Sequence, residues 1–305
     1  MSKDKNMVKD KRMEKDKRME GIFIPLMTPF SPAGELEYDK LEAMVEHHIS
    51  LGVHGFYIGG SSSECFMMSI LERQRVLKTV AHIVKHRVPM VAHVGAIALT
   101  DVRLLIDTAQ SEGYQVISAT PPFYYGFTAQ EVTYYYQSIL DYTEIPLLLY
   151  NIPGTTGVTF THQTLLNLSA MDNVIGIKHT THDMFFIERL RQLQPNSLIF
   201  HGEDSMLVNG LQMGASGGIG TTYNLMPAQY VAIFDAMKQG ETAKAMELQH
   251  QVNRVTEVLL EVGLYQSIKF AMAELGIDYG HCREPFLPLS QEHKTRVIEC
   301  LARSY

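Results

Sequence analysis

Cysteine is scarce in this sequence of 305 residues, and the three that occur stand far apart, at Cys65, Cys282 and Cys300. None of them belongs to a CxxC pair, so the spacing favours neither a disulfide framework nor a common zinc site. We therefore expect free thiols in a reducing compartment, the cytoplasm.

Long apolar segments and an excess of positive charge are also missing. No uninterrupted apolar run approaches the roughly 20 residues that cross a bilayer as a helix, and the charged start lacks the apolar core of a signal peptide. The formal net charge is −7. This balance argues against nucleic acid or an anionic membrane as the main partner.

The first twenty residues form a charged stretch in which residues 9–14, KDKRME, are repeated as residues 15–20. A short charged duplication cannot bury apolar surface. We interpret residues 1–20 as a solvated tail without a catalytic part. A targeting or docking element is the alternative, which the interleaved acidic residues disfavour.

From Gly21 onward, short apolar runs alternate with amphipathic stretches of helical periodicity. Near-continuous apolar runs are typical of parallel strands that are buried on both faces. Eight strand-then-helix units predict an α/β fold, a (β/α)8 TIM barrel over residues 21–240, followed by a C-terminal helical segment over residues 241–305. A doubly wound open sheet is the alternative, but neither a GxGxxG turn nor a P-loop is present. The predicted strands are Ile22–Met27, Gly55–Gly59, Pro89–Val94, Gln115–Ala119, Pro146–Tyr150, Val174–Lys178, Leu198–Gly202 and Ser216–Ile219.

The active site of such a barrel lies at the carboxyl ends of the strands and in the loops that follow them. Six of the predicted strands end in polar or glycine-rich segments. In chain order these segments are GGSSSE, TPPFYYGF, YNIPGTTG, KHTTHD, HGEDS and GGIGTTYN.

Lys178 is the residue with the clearest chemical meaning on this rim. It ends the apolar run VIGIK and is the only lysine between Lys85 and Lys238. At a barrel mouth its amine would lose water, which favours the neutral form that attacks a ketone to give an imine. The alternative is a lysine whose stem packs while its head reaches water. Its position beside a strand that ends in Tyr150 favours the reactive amine.

Tyr150 and a run of three serines are further candidates. A phenol at Tyr150 could move protons to and from the substrate, although a packed tyrosine fits the position equally well. After two glycines, Ser61, Ser62 and Ser63 can direct hydroxyls and N–H groups into the mouth and hold a carboxylate. A polar turn with Glu64 at the start of the next helix is compatible with this.

The thirteen histidines form no HExxH motif, and we predict no metal site. His179, His182 and His201 fall near the rim as candidate substrate contacts. The pair His47–His48 is predicted on the solvent face of a helix.

The ordered set GGSSSE, TPPFYY, YNIPGTTG, GIKHT and GGIGTTYN resembles the N-acetylneuraminate lyase and dihydrodipicolinate synthase superfamily, from about Gly21 to the end. The resemblance implies a (β/α)8 barrel with a C-terminal helical extension, assembled as a homotetramer. It also implies class I aldolase chemistry on a small keto-acid or sugar substrate, with no metal and no organic cofactor.

By this resemblance, Lys178 is the Schiff-base lysine and Tyr150 the proton relay. Ser61 and Ser62 match the pair that holds the pyruvate carboxylate, and Tyr124 matches a tyrosine that enters the neighbouring subunit's site. The positions that contact the sugar tail correspond to Thr180, Gly202, Asp204, Ser205 and Thr221.

Two features of the motifs favour the sialic acid lyase branch. The segment GTTG lacks the arginine with which the synthases bind a second carboxylate, and AHVGA together with GGIGTTYN resembles the lyases. That branch implies cleavage of N-acetylneuraminate to N-acetylmannosamine and pyruvate. Ser205, however, stands where lyases often have a glutamate for the glycerol tail, for which Glu203 could compensate.

Three alternatives stay open at this point. The chain could cleave another 2-keto-3-deoxy sugar acid, or it could be a dihydrodipicolinate synthase. Outside the enzymes, it could be a degenerate ligand-binding regulator, although Lys178 and Tyr150, whose loss would indicate this, are both present.

Overall fold

Eight parallel strands close into a barrel in which each strand pairs with its sequence neighbours and the first pairs with the last. The computed structural model describes residues 19–304. Its strands are β1 (Gly21–Pro25), β2 (Gly55–Ile58), β3 (Met90–His93), β4 (Val116–Ala119), β5 (Leu147–Asn151), β6 (Val174–His179), β7 (Leu198–His201) and β8 (Gly217–Ile219).

The predicted α/β barrel is confirmed, and the closed sheet rules out the doubly wound alternative. Each predicted strand lies within two residues of an observed one. Strands β2, β3 and β5 are buried along their whole length because side chains inside the barrel and side chains beneath the helices are both shielded from water.

Helices cover the outside of the barrel and continue beyond it. They are α1 (Lys40–Ser50), α2 (Ile70–Val84), α3 (Leu99–Ser111), α4 (Ala129–Leu140), α5 (Pro153–Thr156), α6 (His162–Ser169), α7 (Met184–Leu193), α8 (Leu207–Gln212), α9 (Pro227–Lys238), α10 (Thr242–Val262), α11 (Leu264–Glu274) and α12 (Gln291–Ser304). The 3-10 turns span Ser61–Ser63, Cys65–Met67, Asp204–Met206 and Thr221–Asn224. No described helix is long and apolar enough to span a membrane.

Side chains that point into the barrel form a core separate from the one under the helices. The inner cluster includes Phe23, Tyr57, Val91, Val116, Leu148, Tyr150 and Phe200. Met19 joins this cluster and is only 5% exposed. Met19, which the sequence analysis assigned to the solvated tail, is therefore packed against the barrel. Residues 1–18 of that tail lie outside the described chain.

Glu64 differs from its sequence interpretation. The helix that follows the serines begins at Ile70, and its capping box is formed by Ser69 and Glu72. Glu64 instead ends the serine turn with φ 57° and is buried. Its carboxylate accepts a hydrogen bond from Lys269 Nζ at 2.7 Å and another from the backbone N–H of Arg283 at 2.8 Å.

His48 also departs from the prediction of a solvent-exposed pair. Its ring lies fully inside the protein, and its Nε2 is 2.7 Å from the hydroxyl of Tyr279. Burial lowers the pKa of His48 to about 3, so the ring is neutral. His47, its neighbour along the chain, lies at the half-buried edge of the same helix.

The C-terminal helical segment is attached to the catalytic end of the barrel as well as to its side. Lys269 on α11 donates to Glu64 and to the carbonyls of Thr28 and His281 at 2.6–2.7 Å. Gln249 and Asn253 on α10 donate to the carbonyls of two residues that follow β7. The segment therefore fixes loops at the barrel mouth.

Replacement of Lys269 by methionine should lower the free energy of unfolding by about 3–5 kcal/mol, because Glu64 would keep a buried charge without its partner. The variant Glu64→Gln/Lys269→Met should recover a large part of this loss, because that charge is gone. Urea unfolding followed by circular dichroism measures both. Lys244→Met, which removes the exposed pair with Glu241, is the control and should leave the unfolding midpoint unchanged. A Lys269→Met protein as stable as the parent would contradict this account.

Candidate active site

Lys178 lies near the end of β6 with its side chain directed into the barrel. Only 4% of the residue is exposed, and its Nζ is 4.0 Å from the ring centroid of Tyr150 and 4.7 Å from that of Tyr57. Within residues 19–304 the amine has neither an ion-pair partner nor a hydrogen bond. It is therefore a buried amine bordered by aromatic faces.

Tyr150 reaches the same place from β5, where it pairs in register with Lys178 on β6. Its side chain is buried, and its ring meets those of Tyr57 and His93 edge to face at 5.9 and 6.0 Å. No hydrogen bond to another described residue occupies its hydroxyl, which is therefore available to a molecule bound in the mouth.

The serine hydroxyls in the turn after β2 have different partners. Ser62 Oγ lies 2.9 Å from Thr221 Oγ1, so the turn meets the loop that follows β8. Ser63 Oγ donates to the carbonyl of Leu26 at 2.5 Å and is buried. Ser62 thus joins the turn to the loop after β8 and Ser63 holds it against the end of β1, while the Ser61 hydroxyl has no hydrogen bond to another described residue.

Thr180 and Gly202 lie against each other on the rim. Thr180 Oγ1 is buried without a hydrogen-bond partner in the described chain. A Cβ at Gly202 would meet that oxygen at 2.0 Å. Gly202 therefore contributes space beside an unused hydroxyl, and the hydroxyl suits a polar ligand group.

Asp204 joins the loops after β7 and β8. Its Oδ2 accepts hydrogen bonds from the N–H and the hydroxyl of Thr222, both at 2.7 Å. Burial raises the pKa of Asp204 to about 6, although these hydrogen bonds oppose the shift. A Cβ at Gly220 would lie 1.9 Å from Oδ1, so that position must lack a side chain.

Ser205 follows Asp204 in the same turn. Its carbonyl accepts from Asn253 at 3.0 Å, which anchors the turn to α10. The neighbouring Glu203 has an oxygen 3.7 Å from Nε2 of the exposed His182. A carboxylate and an imidazole are therefore present on the outer rim beside Ser205.

The other two rim histidines face away from the mouth. His179 packs on Phe186 under the helices and is hydrogen-bonded to Asn151 and Thr181. His201 is fully buried. Burial lowers the pKa of each to about 4. In the described part of the chain, His, Cys, Asp and Glu side chains nowhere assemble into a group of three that could hold a metal ion.

Tyr124 does not join this cluster. It lies in the loop after β4 with 84% of its surface exposed and φ 78°, and its ring contacts that of Tyr125. A positive φ is uncommon for a bulky side chain. The loop thus presents two aromatic rings outward from its own barrel.

Sequence reasoning missed three inward residues, Tyr57, Ser118 and His93. The Tyr57 hydroxyl donates to Ser118 Oγ at 3.0 Å, and burial raises the pKa of this phenol well above its ordinary value. His93 Nδ1 is 2.9 Å from the carbonyl of Gly59, and burial lowers its pKa well below the ordinary value. Period-two alternation along the strands could have found all three, because each occupies an inward position.

Comparison with known proteins finds relatives of the same fold over nearly the whole chain. N-acetylneuraminate lyase of Rhizobium meliloti (strain 1021) is 40% identical over 283 residues, which cover 93% of this chain and 94% of that protein. The structure of CdNal from Clostridium difficile in complex with mannosamine superposes with a TM-score of 0.92 at 34% identity, covering 94% of this chain and 99% of that one. N-acetylneuraminate lyase from Fusobacterium nucleatum complexed with pyruvate superposes with a TM-score of 0.90, also at 34% identity, covering 94% and 98%.

The model of the dihydrodipicolinate synthetase family matches residues 18–304, which include the whole barrel, every rim residue described above and the C-terminal helical segment. This chain therefore belongs to the dihydrodipicolinate synthetase family.

Proposed function

We propose that this protein is a class I aldolase that cleaves N-acetylneuraminate to N-acetylmannosamine and pyruvate. The observation that carries the proposal is the buried amine of Lys178, which lies in the barrel mouth beside the Tyr150 ring. Relatives at 34–40% identity over at least 90% of this chain are N-acetylneuraminate lyases, which supports this substrate.

Lys178 begins the reaction as a nucleophile. Its nitrogen adds to the C2 ketone, the ketone oxygen leaves as water, and a cationic iminium links substrate and enzyme. When the C3–C4 bond breaks, its electron pair moves into this iminium to form an enamine. Protonation of C3 and hydrolysis of the carbon–nitrogen bond then release pyruvate and restore the amine.

Tyr150 handles the proton of the sugar hydroxyl. The phenol gives its proton to the departing ketone oxygen when the iminium forms, and the resulting phenolate takes the C4 hydroxyl proton as the C3–C4 bond breaks, so that C4 leaves as an aldehyde. The burial of both groups excludes bulk water from this step.

The rim binds the two ends of the substrate. Ser61 and Ser62 hold the carboxylate through hydroxyls and backbone N–H groups. Four further polar groups contact the sugar tail, with Gly202 leaving room for it. These groups are Thr180, Asp204, Ser205 and Thr221.

Dihydrodipicolinate synthesis is less well supported. The segment Tyr150–Gly157 contains no arginine or lysine, and α5, which it forms, therefore offers no cation to a second substrate carboxylate. Another 2-keto-3-deoxy sugar acid would use the same Lys178 chemistry and differs only in its tail contacts.

Assembly and location complete the proposal. We propose a homotetramer in which Tyr124 enters the mouth of a neighbouring subunit, because its ring is exposed and contributes nothing to its own cluster. A reducing compartment, the cytoplasm, is proposed on the three cysteines, none of which forms a disulfide in the described chain.

Pyruvate with borohydride should add one reduced pyruvyl group per chain, located on Lys178. Intact mass gives the stoichiometry, and peptide mapping gives the site. Lys178→Ala should lose both labelling and turnover while it stays folded, because the side chain makes no ion pair or hydrogen bond in the described chain. An adduct on another lysine would exclude the proposed mechanism.

Tyr150→Phe should still be labelled by pyruvate, since the ring beside Lys178 remains. Its kcat should fall by about 10²–10⁴-fold, the usual contribution of a proton-transferring group. Tyr114→Phe is a matched control, because Tyr114 is a buried tyrosine whose hydroxyl donates to Leu77 outside the barrel. Parental turnover in Tyr150→Phe would assign the proton transfer to another group.

Pyruvate release should be faster from N-acetylneuraminate than from 2-keto-3-deoxygluconate, by roughly 10²-fold or more in kcat/KM, because the longer sugar uses more rim hydrogen bonds. Thr180→Val, which removes the unused buried hydroxyl, should narrow this ratio, and Thr180→Ser should restore it. Labelling of Lys178 by pyruvate should be unchanged in both variants. If the parent prefers 2-keto-3-deoxygluconate, the proposed substrate is wrong. The proposed lysine chemistry would still stand.

A further inference from the structure

Tyr57 contacts two parts of the proposed site, the Lys178–Tyr150 pair and the start of the serine turn. Its ring centroid is 4.7 Å from Lys178 Nζ, and its ring meets that of Tyr150 edge to face. On the other side, a Cβ built on Gly60 would lie 2.5 Å from Tyr57 Cε1 and 3.0 Å from Cδ1. The ring is therefore packed directly against the backbone from which the serine turn starts.

The position of this ring is well defined. Tyr57 is completely buried on β2, and its hydroxyl donates to Ser118 Oγ on β4 at 3.0 Å. The hydrogen bond restrains the side-chain torsions of Tyr57, since the backbone end of the side chain belongs to β2 and its hydroxyl is bound to β4. The Tyr57 ring is thus a spacer of fixed length between the Lys178 amine and the serine turn.

A keto acid requires such a spacer. Its carboxylate and its ketone carbon are adjacent, so the carboxylate can sit on the serines only if the amine lies at the matching distance from the ketone. Misplacement of a reacting group by about 1 Å can reduce a rate by about 10²-fold.

We infer that Tyr57, locked by Ser118, is a positioning residue that holds the Lys178 amine and the serine turn at the separation a 2-keto acid requires. The inference rests on the proposed function, because it presumes that Lys178 attacks a keto acid. It assigns a role to a side chain that does not exchange protons or form bonds with the substrate.

Competition between two carbonyl compounds tests this role. Each forms an iminium with an amine and loses its oxygen as water, and borohydride then delivers hydride to the iminium carbon. Pyruvate must place its carboxylate on the serines, whereas formaldehyde has no carboxylate and reports only the accessibility and reactivity of the amine. The ratio of the two labelling rates at Lys178, followed by peptide mass spectrometry, measures the alignment alone.

Tyr57→Leu should lower the pyruvate-to-formaldehyde ratio by about 10²-fold, mainly through slower pyruvate labelling. Tyr57→Phe and Ser118→Ala each remove the hydrogen bond but keep the ring, so both should lose only part of the ratio, and by similar amounts. Tyr114→Leu removes another buried, hydrogen-bonded tyrosine and should leave the ratio unchanged.

Gly60→Ala gives an independent measurement of the same contact. The added methyl group collides with the Tyr57 ring, so the ratio should fall in the parent. In the Tyr57→Leu background the same substitution should add no further loss, because the ring it would strike is absent. Additive effects of the two substitutions would overturn the inference.

The two proposals fail in different ways. If pyruvate does not label Lys178 of the parent protein in preference to formaldehyde, the proposed function is wrong. The positioning role of Tyr57 is then wrong as well. If the parent shows the preference and Tyr57→Leu retains it, only the positioning role is wrong. Equal losses in Tyr57→Phe and Tyr57→Leu would also overturn that role, because the ring would then not be the part that matters.

Discussion

The buried contact between Glu64 and Lys269 holds the serine turn to the C-terminal helical segment. Each charge is tolerated away from water because the other is beside it, and removal of either would leave an uncompensated ion. The Lys269 ammonium also binds the carbonyls of Thr28 and His281, and Glu64 also accepts the N–H of Arg283. Loops that are distant in sequence are thereby joined at the barrel mouth, and the geometry of the serine turn follows from that junction.

Two lysines, Lys178 and Lys269, are buried near the mouth, and they differ in their hydrogen-bond partners. All three N–H groups of Lys269 are donated to oxygens, so its nitrogen has no lone pair to offer a substrate. Lys178 has aromatic rings as neighbours and no carboxylate within ion-pair distance in the described chain. The two lysines therefore differ in their partners, although both are removed from solvent.

Much of the barrel was predictable because a parallel strand buried on both faces has an unmistakable apolar pattern, and the rim residues follow it directly. Lys178 and Tyr150 were found in this way, since each ends an apolar run. Glu64, His48 and Tyr57 were misread or missed. Their local sequence is compatible with a helix start, a solvent face and an ordinary core position, and only residues far away in the chain decide between these environments.

The sequence by itself determined the eight-strand barrel, the rim on which the chemistry lies and the lysine that stands alone there. Period and strand order suffice for this, because every strand of a closed parallel barrel presents its carboxyl end to the same face. Only the tertiary structure decided which polar groups are hydrogen-bonded to distant residues and which are not. Asp204 is engaged by Thr222, Ser63 by Leu26 and Lys269 by Glu64, whereas the Thr180 hydroxyl and the Lys178 amine are left without hydrogen-bond partners in the described chain. Hydrogen bonds over such sequence separations depend on ångström distances between loops, which no local pattern encodes.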